Sequence, residues 1–201
     1  RVDREENSEK VFQSKLEELS KVAENSDIII VSDYAKGTIT KELMEALEPY
    51  KSKIVIDPKP SNKNFKELYR NSFIITPSRA EAFTMAGSYD VDDAGRILRE
   101  ELKSNILITL GKEGMKLFPI NGEIEHIKTN PEESFEETGA GDTAISAIAL
   151  ALSSKKDSID DIINAAKIGN YAAGITVKKI GAYAPSHEEL NERIKSLDTL
   201  Y

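Results

Sequence analysis

Four short β-branched runs constrain this chain more than any other feature. They are Ile28-Ile29-Ile30-Val31, Lys53-Ile54-Val55-Ile56-Asp57, Phe73-Ile74-Ile75-Thr76 and Asn105-Ile106-Leu107-Ile108-Thr109-Leu110. Each is nearly continuous in apolar residues and bounded by polar ones, which is the pattern of strands buried on both faces of a parallel sheet. Pro58 and Pro77 stop the second and third, because proline cannot donate to a ladder. Between the runs the apolar spacing switches to that of helices, as in Leu16, Leu19 and Val22 or Ala23. Helices are expected over 9–24, from a Thr40 cap through Leu47, over 64–70, 78–86 and 91–103, and then over 140–153, 158–177 and 186–197. Strands alternating with helices give a doubly wound α/β fold, expected as one domain spanning 1–201. Met115–Phe118 and Glu123–Ile127 flank Asn121-Gly122, a hairpin turn signal, so an antiparallel hairpin closes one edge of the mostly parallel sheet.

Composition narrows the function. A net charge of −8 argues against a general nucleic-acid or membrane-surface binder. The chain has no cysteine, which excludes disulfides, thiolate metal sites and Cys nucleophiles. Its two histidines, His126 and His187, stand far apart. No apolar run approaches the ~20 residues of a membrane span, and no signal peptide is visible, so a cytoplasmic protein is expected. The chain begins at Arg1 rather than Met, as expected of a fragment or a processed product.

The chemistry concentrates at Thr138-Gly139-Ala140-Gly141-Asp142-Thr143, just before the apolar run from Ala144 to Leu152. Glycine lets a backbone approach a ligand closely. A helix N-terminus offers unpaired N–H groups and the positive end of a dipole, a seat for an anion such as phosphate. Asp142 falls in the first turn, where it can serve as a base beside developing negative charge. The same residues also suit a tight turn with a favoured first-turn Asp, and nothing more. In open α/β sheets ligands bind at the carboxyl ends of strands. Polar sets follow all four runs: Ser32–Gly37, Asp57-Pro58-Lys59, Thr76–Glu81 and Thr109–Gly114. They are expected to converge on one edge with the glycine-rich helix start.

Thr138–Thr143 resembles the C-terminal signature of the PfkB (ribokinase-like) carbohydrate kinases. The resemblance implies a ribokinase-like fold, an anion hole at Gly139, Ala140 and Gly141, and Asp142 as the catalytic base. Asp33-Tyr34-Ala35-Lys36-Gly37 and Asp57-Pro58-Lys59 look like the corresponding loops of bacterial heptose 7-phosphate kinases, implying substrate contacts at Asp33 and Lys36 and a nucleotide contact at Lys59. Thr76–Glu81 is similar to the family's Asn-x-x-Glu motif, with Ser78 where Asn is usual. Glu81 is thereby implied in holding magnesium, and Ser78 in nucleotide binding. Thr109-Leu110-Gly111-Lys112-Glu113-Gly114 matches the Thr-x-Gly-x-x-Gly loop along the nucleotide phosphates, implicating Thr109, Gly111 and Gly114. Gly169–Gly174 resembles the helix lining the adenine pocket, with Asn170 toward the base and Gly181-Ala182 continuing the likeness. Close packing by small residues explains Ala172, Ala173 and Gly174 as readily.

Two departures stand out: Glu136 where the family often has Asp, and Ser78 for Asn. The resemblance covers essentially the whole chain but only the C-terminal two-thirds of a full-length member. Arg1-Val2-Asp3 resembles the end of a lid strand, and most of the sugar-recognition part is expected to lie outside the sequence. The implied activity is ATP-dependent, magnesium-assisted phosphorylation of a sugar phosphate, heptose 7-phosphate at its anomeric hydroxyl. The alternatives are fructose 1-phosphate, tagatose 6-phosphate or a nucleoside as substrate, or a silent nucleotide-binding domain. A homodimer is left open. A Rossmann dinucleotide binder is discounted, since no Gly-x-Gly-x-x-Gly follows the first run.

Overall fold

The computed structural model describes residues 15–129, 138–181 and 183–198. Six strands follow one another across the sheet in chain order: β1 (Ile29–Ser32), β2 (Ile54–Asp57), β3 (Ile74–Ile75), β4 (Asn105–Thr109), β5 (Met115–Phe118) and β6 (Glu125–Ile127). The first four pair in parallel, with Ser32 beside Asp57 and Ile75 beside Ile106, while β5 and β6 are antiparallel. The helices are α1 (Leu16–Glu24), α2 (Lys41–Ala46), α3 (Phe65–Tyr69), α4 (Arg79–Ala86), α5 (Val91–Leu102), α6 (Ala140–Ser154), α7 (Ile159–Thr176) and α8 (His187–Asp198). The described chain divides into two compact units. One holds the residues up to Ile108 with Phe118–Asn121; the other holds Thr109–Leu117 and the residues from Gly122 on.

The first unit is built on its strands. Ile54, Val55, Ile56, Ile74, Ile75, Ile106, Leu107 and Ile108 are fully buried. Burying one such side chain contributes roughly 1.5–3 kcal/mol, so these runs supply much of the unit's stability. Helix α5 begins at Asp90, whose carboxylate accepts from the N–H groups of Asp92 and Asp93, both at 2.9 Å. It presents Ala94, Leu98 and Leu102, one turn apart, to the interior, and ends at Lys103 in a left-handed conformation. Gly95 lies on the buried side because a Cβ there would stand 2.3 Å from the Phe118 ring. Thr40 caps α2 as expected, its hydroxyl accepting from Leu43 N–H at 3.2 Å.

The second unit pairs α6 with α7. Ala144, Ile145, Ile148, Ala149 and Leu152 on α6 are buried, as are Ile162, Ala165, Ala166, Gly169 and Ala172 on α7. A Cβ on Gly169 would lie 2.6 Å from Ile148 Cγ1 and 3.1 Å from the Ala144 carbonyl oxygen, so this glycine sets how closely the helices approach.

Three expectations change. The first run is not buried on both faces: β1 is an edge strand, Val31 is buried and Ile30 is 41% exposed. The third strand contracts to Ile74 and Ile75. The Asn121-Gly122 turn is wider than a two-residue hairpin, because the register pairs Leu117 with Glu125. Pro119 has no N–H for the ladder, and the Ile120 N–H goes instead to Asn105 Oδ1 at 2.9 Å. Residues 9–14 of the first expected helix, Arg1–Asp3, Glu136 and Ala182 lie outside the described residues.

Candidate functional site

In the second unit the glycine-rich stretch forms the start of α6. Gly139 is the N-cap residue, with φ 77° in the left-handed region that favours glycine, and its carbonyl accepts the Thr143 N–H at 2.9 Å. No side chain caps the helix, so its first N–H groups are not consumed by a capping side chain. Among the described residues, a Cβ added at Gly139 or Gly141 would meet nothing within 4 Å. Against the described residues these are therefore not packing glycines of the Gly169 kind. Gly141 and Asp142 are exposed, and Ala140 is half-buried. Among the described residues no hydrogen bond or ion pair engages the Asp142 side chain. Behind it, the Thr143 and Thr176 hydroxyls lie 3.2 Å apart and both reach the Tyr183 carbonyl at 3.4 Å. The first turn of α6 is thus tied from its inner side to the end of α7. Neither Thr176 nor Tyr183 is singled out by a sequence motif; the hydroxyl of a buried Thr176 is the cue that the structure supplies.

The loop after β4 is in the same unit. Thr109 ends the strand, and Gly111–Glu113 make one 3₁₀ turn closed by Gly114 N–H to the Gly111 carbonyl at 3.0 Å. Gly111 has φ 60° with open space where a Cβ would be. Gly114 is different: its φ is 92°, and a Cβ would sit 2.2 Å from the Ile127 carbonyl oxygen. Gly111 leaves room for a ligand, whereas Gly114 serves the close approach of β6. Asn170 is 8% exposed and its amide donates to the Ile127 carbonyl at 3.3 Å, so its side chain is turned into the unit.

In the first unit, Asp33, Lys36, Lys59, Ser78 and Glu81 follow the ends of β1, β2 and β3, three parallel neighbours. Asp33 is 4% exposed. Its carboxylate accepts from Ala35 N–H at 2.6 Å, the Tyr69 hydroxyl at 2.5 Å and the Asn62 amide at 2.8 Å. Burial first, and then the bond to Asp33, push the Tyr69 phenol far above the ordinary tyrosine range, so it stays a donor. Lys36 is exposed on this loop. The Lys59 ammonium stands 3.8 Å from Glu81 Oε1.

Ser78 and Glu81 form a capping box at the start of α4. The Ser78 hydroxyl accepts from Glu81 N–H at 3.3 Å, and Glu81 Oε2 accepts from the Ser78 N–H at 2.9 Å and its hydroxyl at 2.8 Å. Comparison with the family motif makes Ser78 a departure and overlooks this cap, although Ser-x-x-Glu is its signature. Glu81 keeps one oxygen, Oε1, outside the cap. Among the described residues no cluster of three or more His, Cys, Asp or Glu could hold a metal by itself. A single partly free carboxylate suits magnesium, which is usually held by one or two carboxylates together with substrate phosphates. Among the described residues no helix is long and apolar enough to cross a membrane.

These features can be set beside known proteins. The sequence pattern of the pfkB family carbohydrate kinases matches residues 2–189. The bifunctional protein HldE of a Nitratiruptor species is 35% identical over 207 residues, which cover 98% of this chain and 43% of that protein. The bifunctional protein HldE of Geobacter sulfurreducens is 34% identical over 195 residues, covering 87% of this chain and 38% of that protein. The chain thus spans less than half the length of these relatives. Among solved structures, a ribokinase from Giardia lamblia superposes with a TM-score of 0.79 at 20% identity, covering 92% of this chain and 64% of that one. Phosphofructokinase-2 from Escherichia coli gives 0.70 at 16% identity, covering 92% and 63%. These likenesses show a ribokinase-like fold, and with the match across nearly the whole sequence they establish that the chain belongs to the pfkB family of carbohydrate kinases.

Proposed function

We propose that this chain is the nucleotide-handling and base-bearing part of an ATP-dependent sugar-phosphate kinase. The observation that carries the reading is the start of α6: a left-handed Gly139, an exposed Asp142 in the first turn, and, among the described residues, open space at Gly139 and Gly141 and no partner for the Asp142 side chain. Catalysis of phosphoryl transfer is mostly positioning and charge stabilisation. Asp142 accepts the proton of the sugar hydroxyl as its oxygen attacks the terminal phosphorus of ATP and ADP leaves. The N–H groups of residues 139–142 stabilise the charge on the phosphoryl group in flight. Magnesium, when bound, neutralises charge on the nucleotide phosphates. Glu81 would hold it through Oε1, directly or through water. Thr109, Gly111, Ser78 and Lys59 are assigned to the nucleotide, with Gly114 acting on it only by closing the turn that presents Gly111. Asn170 is assigned to the adenine pocket wall, and Lys36 to the phosphate of the sugar.

The substrate proposed is heptose 7-phosphate at its anomeric hydroxyl, because Asp33–Gly37 and Asp57–Lys59 resemble the loops of heptose kinases. A panel including fructose 1-phosphate, tagatose 6-phosphate and nucleosides decides the sugar. A cytoplasmic setting goes with ATP as donor. The test of the base is Asp142→Asn in the full-length protein. Turnover should fall by about 10²–10⁴ while ATP affinity changes little, since Asn keeps the volume and loses only the basic oxygen. Turnover near that of the unaltered protein would sink the assignment.

A further inference from the structure

Asp33 is assigned to the substrate by resemblance, yet its carboxylate faces inward. Among the described residues, its hydrogen bonds all come from within the first unit: Ala35 N–H, Asn62 Nδ2 and the Tyr69 hydroxyl. The Tyr69 oxygen in turn accepts the Lys59 N–H at 3.2 Å. Among the described residues no cation pairs with Asp33. Burying a carboxylate among neutral donors alone is expensive, so the arrangement calls for a reason beyond stability.

Its geometry supplies one. Ala35 has φ 54°, a left-handed conformation that a non-glycine residue keeps only when its surroundings enforce it. Here the Ala35 N–H is held by Asp33 itself, and Lys36 comes next. Tyr69 is fully buried on α3, packed at a tilt against Phe65, and cannot drift. One phenol therefore joins the loop after β1, which carries Lys36, to the segment after β2, which carries Lys59. Ser32 and Asp57, the last residues of these two strands, are register partners, so the joined loops leave the sheet side by side.

We propose that Tyr69 and Asn62 are positioning residues that act through Asp33 to fix the Lys36 loop for the phosphate of the sugar-phosphate substrate. This rests on the kinase reading above. Asp33 then acts through the loop and does not touch the sugar.

The experiment is Tyr69→Phe and, separately, Asn62→Ala in the full-length protein. KM for the sugar phosphate, KM for ATP and kcat are measured, and the sugar phosphate is compared with the same sugar lacking that phosphate. The expected result is a rise of about tenfold in KM for the phosphorylated sugar. In Asn62→Ala, KM for ATP and kcat should stay within about threefold, and the dephosphorylated sugar should be affected little. Tyr69→Phe also removes the acceptor of the Lys59 N–H and should raise KM for ATP as well. A merely structural role would lower kcat with the folded fraction and leave KM unchanged for every substrate; that result overturns the proposal. Unchanged kinetics in both variants overturn it too. If Tyr69→Phe fails to fold, Asn62→Ala decides alone. A catalytically competent protein that loses turnover on Asp142→Asn, but shows no KM change in these variants, refutes the positioning role and spares the kinase reading. A full-length protein that phosphorylates no sugar phosphate refutes both.

Discussion

Gly141 offers a test in which stability and activity should move in opposite directions. It is the second residue of α6, its φ is not in the left-handed region, and a Cβ there would meet no described residue within 4 Å. Gly141→Ala therefore introduces neither strain nor a clash. Alanine is favoured over glycine in a helix and has less unfolded-state freedom to lose, so the substitution should stabilise by about 0.5–1 kcal/mol. For a chain of this size that raises the unfolding midpoint by roughly 1–3 °C. If the backbone N–H groups here seat the phosphoryl group, the new methyl occupies the open space that the anion needs. Loss of such stabilisation lowers kcat by about 10²–10³. Gly139→Ala is the counterpart: the space is equally open but φ is 77°, so alanine there costs about 1–2 kcal/mol. Thermal unfolding and steady-state kinetics on the same full-length preparations separate the terms. A Gly141→Ala protein that is more stable and fully active would refute the anion seat. One that is destabilised would refute the reading that its surroundings are open.

Ser78→Ala should cost about 1 kcal/mol by removing the α4 cap, read as a lowered unfolding midpoint, and Ser78→Asn should restore it because asparagine also caps well. Gly114→Ala should be far more damaging than Gly111→Ala: both carry positive φ, but only at Gly114 does the Cβ collide with backbone, at 2.2 Å from the Ile127 carbonyl, so soluble expression should fall. The Ser186 N–H, then the Tyr183 hydroxyl, hold the Glu189 carboxyl below its ordinary value. A depressed folded-state value contributes stability that is fully present above the unfolded value and is lost as pH falls through the folded one. The midpoint difference between the unaltered protein and Glu189→Gln should therefore be full at neutral pH, begin to shrink near the ordinary glutamate value of about 4.3, and be gone once pH is below the depressed folded-state value.

What the sequence made legible follows from range. β2 and β4 are continuous apolar runs, and local pattern alone identifies strands that are covered on both sides. The Thr40 cap and the helix periodicities are likewise local, and the sequence carries them directly. Exposure of Ile30 is not local, because it depends on which neighbours cover a face of β1. The Asp33 network is harder still: Tyr69 lies thirty-six residues away in the chain, and a tyrosine in a short amphipathic helix carries no mark of its partner. Gly95 did carry a signal, since a lone glycine inside a helical pattern costs stability and so points to close packing; the Phe118 ring is what it accommodates. Among the glycines of the motifs, spacing could not separate a packing glycine from one that no described residue crowds. Gly169 and Gly141 look alike in sequence, and only the space around each distinguishes them.

Ser78 shows how a departure from a family pattern can preserve the element it alters. Asparagine and serine are both strong N-caps, so replacing one by the other keeps the first turn of α4 closed. The serine hydroxyl adds a donor to Glu81 Oε2 at 2.8 Å, beside the backbone N–H at 2.9 Å. Two donors on one oxygen fix the rotamer of the carboxylate from the protein side, without help from a cation. The other oxygen is left with only a loose 3.8 Å approach from the Lys59 ammonium, at a side chain 24% exposed. A solvent-accessible pair at that distance contributes little, so a divalent cation with nucleotide phosphates would displace it at small cost. The substitution therefore removes an amide donor but leaves Glu81 aimed and available through Oε1, and the magnesium role proposed for Glu81 survives the departure from Asn-x-x-Glu.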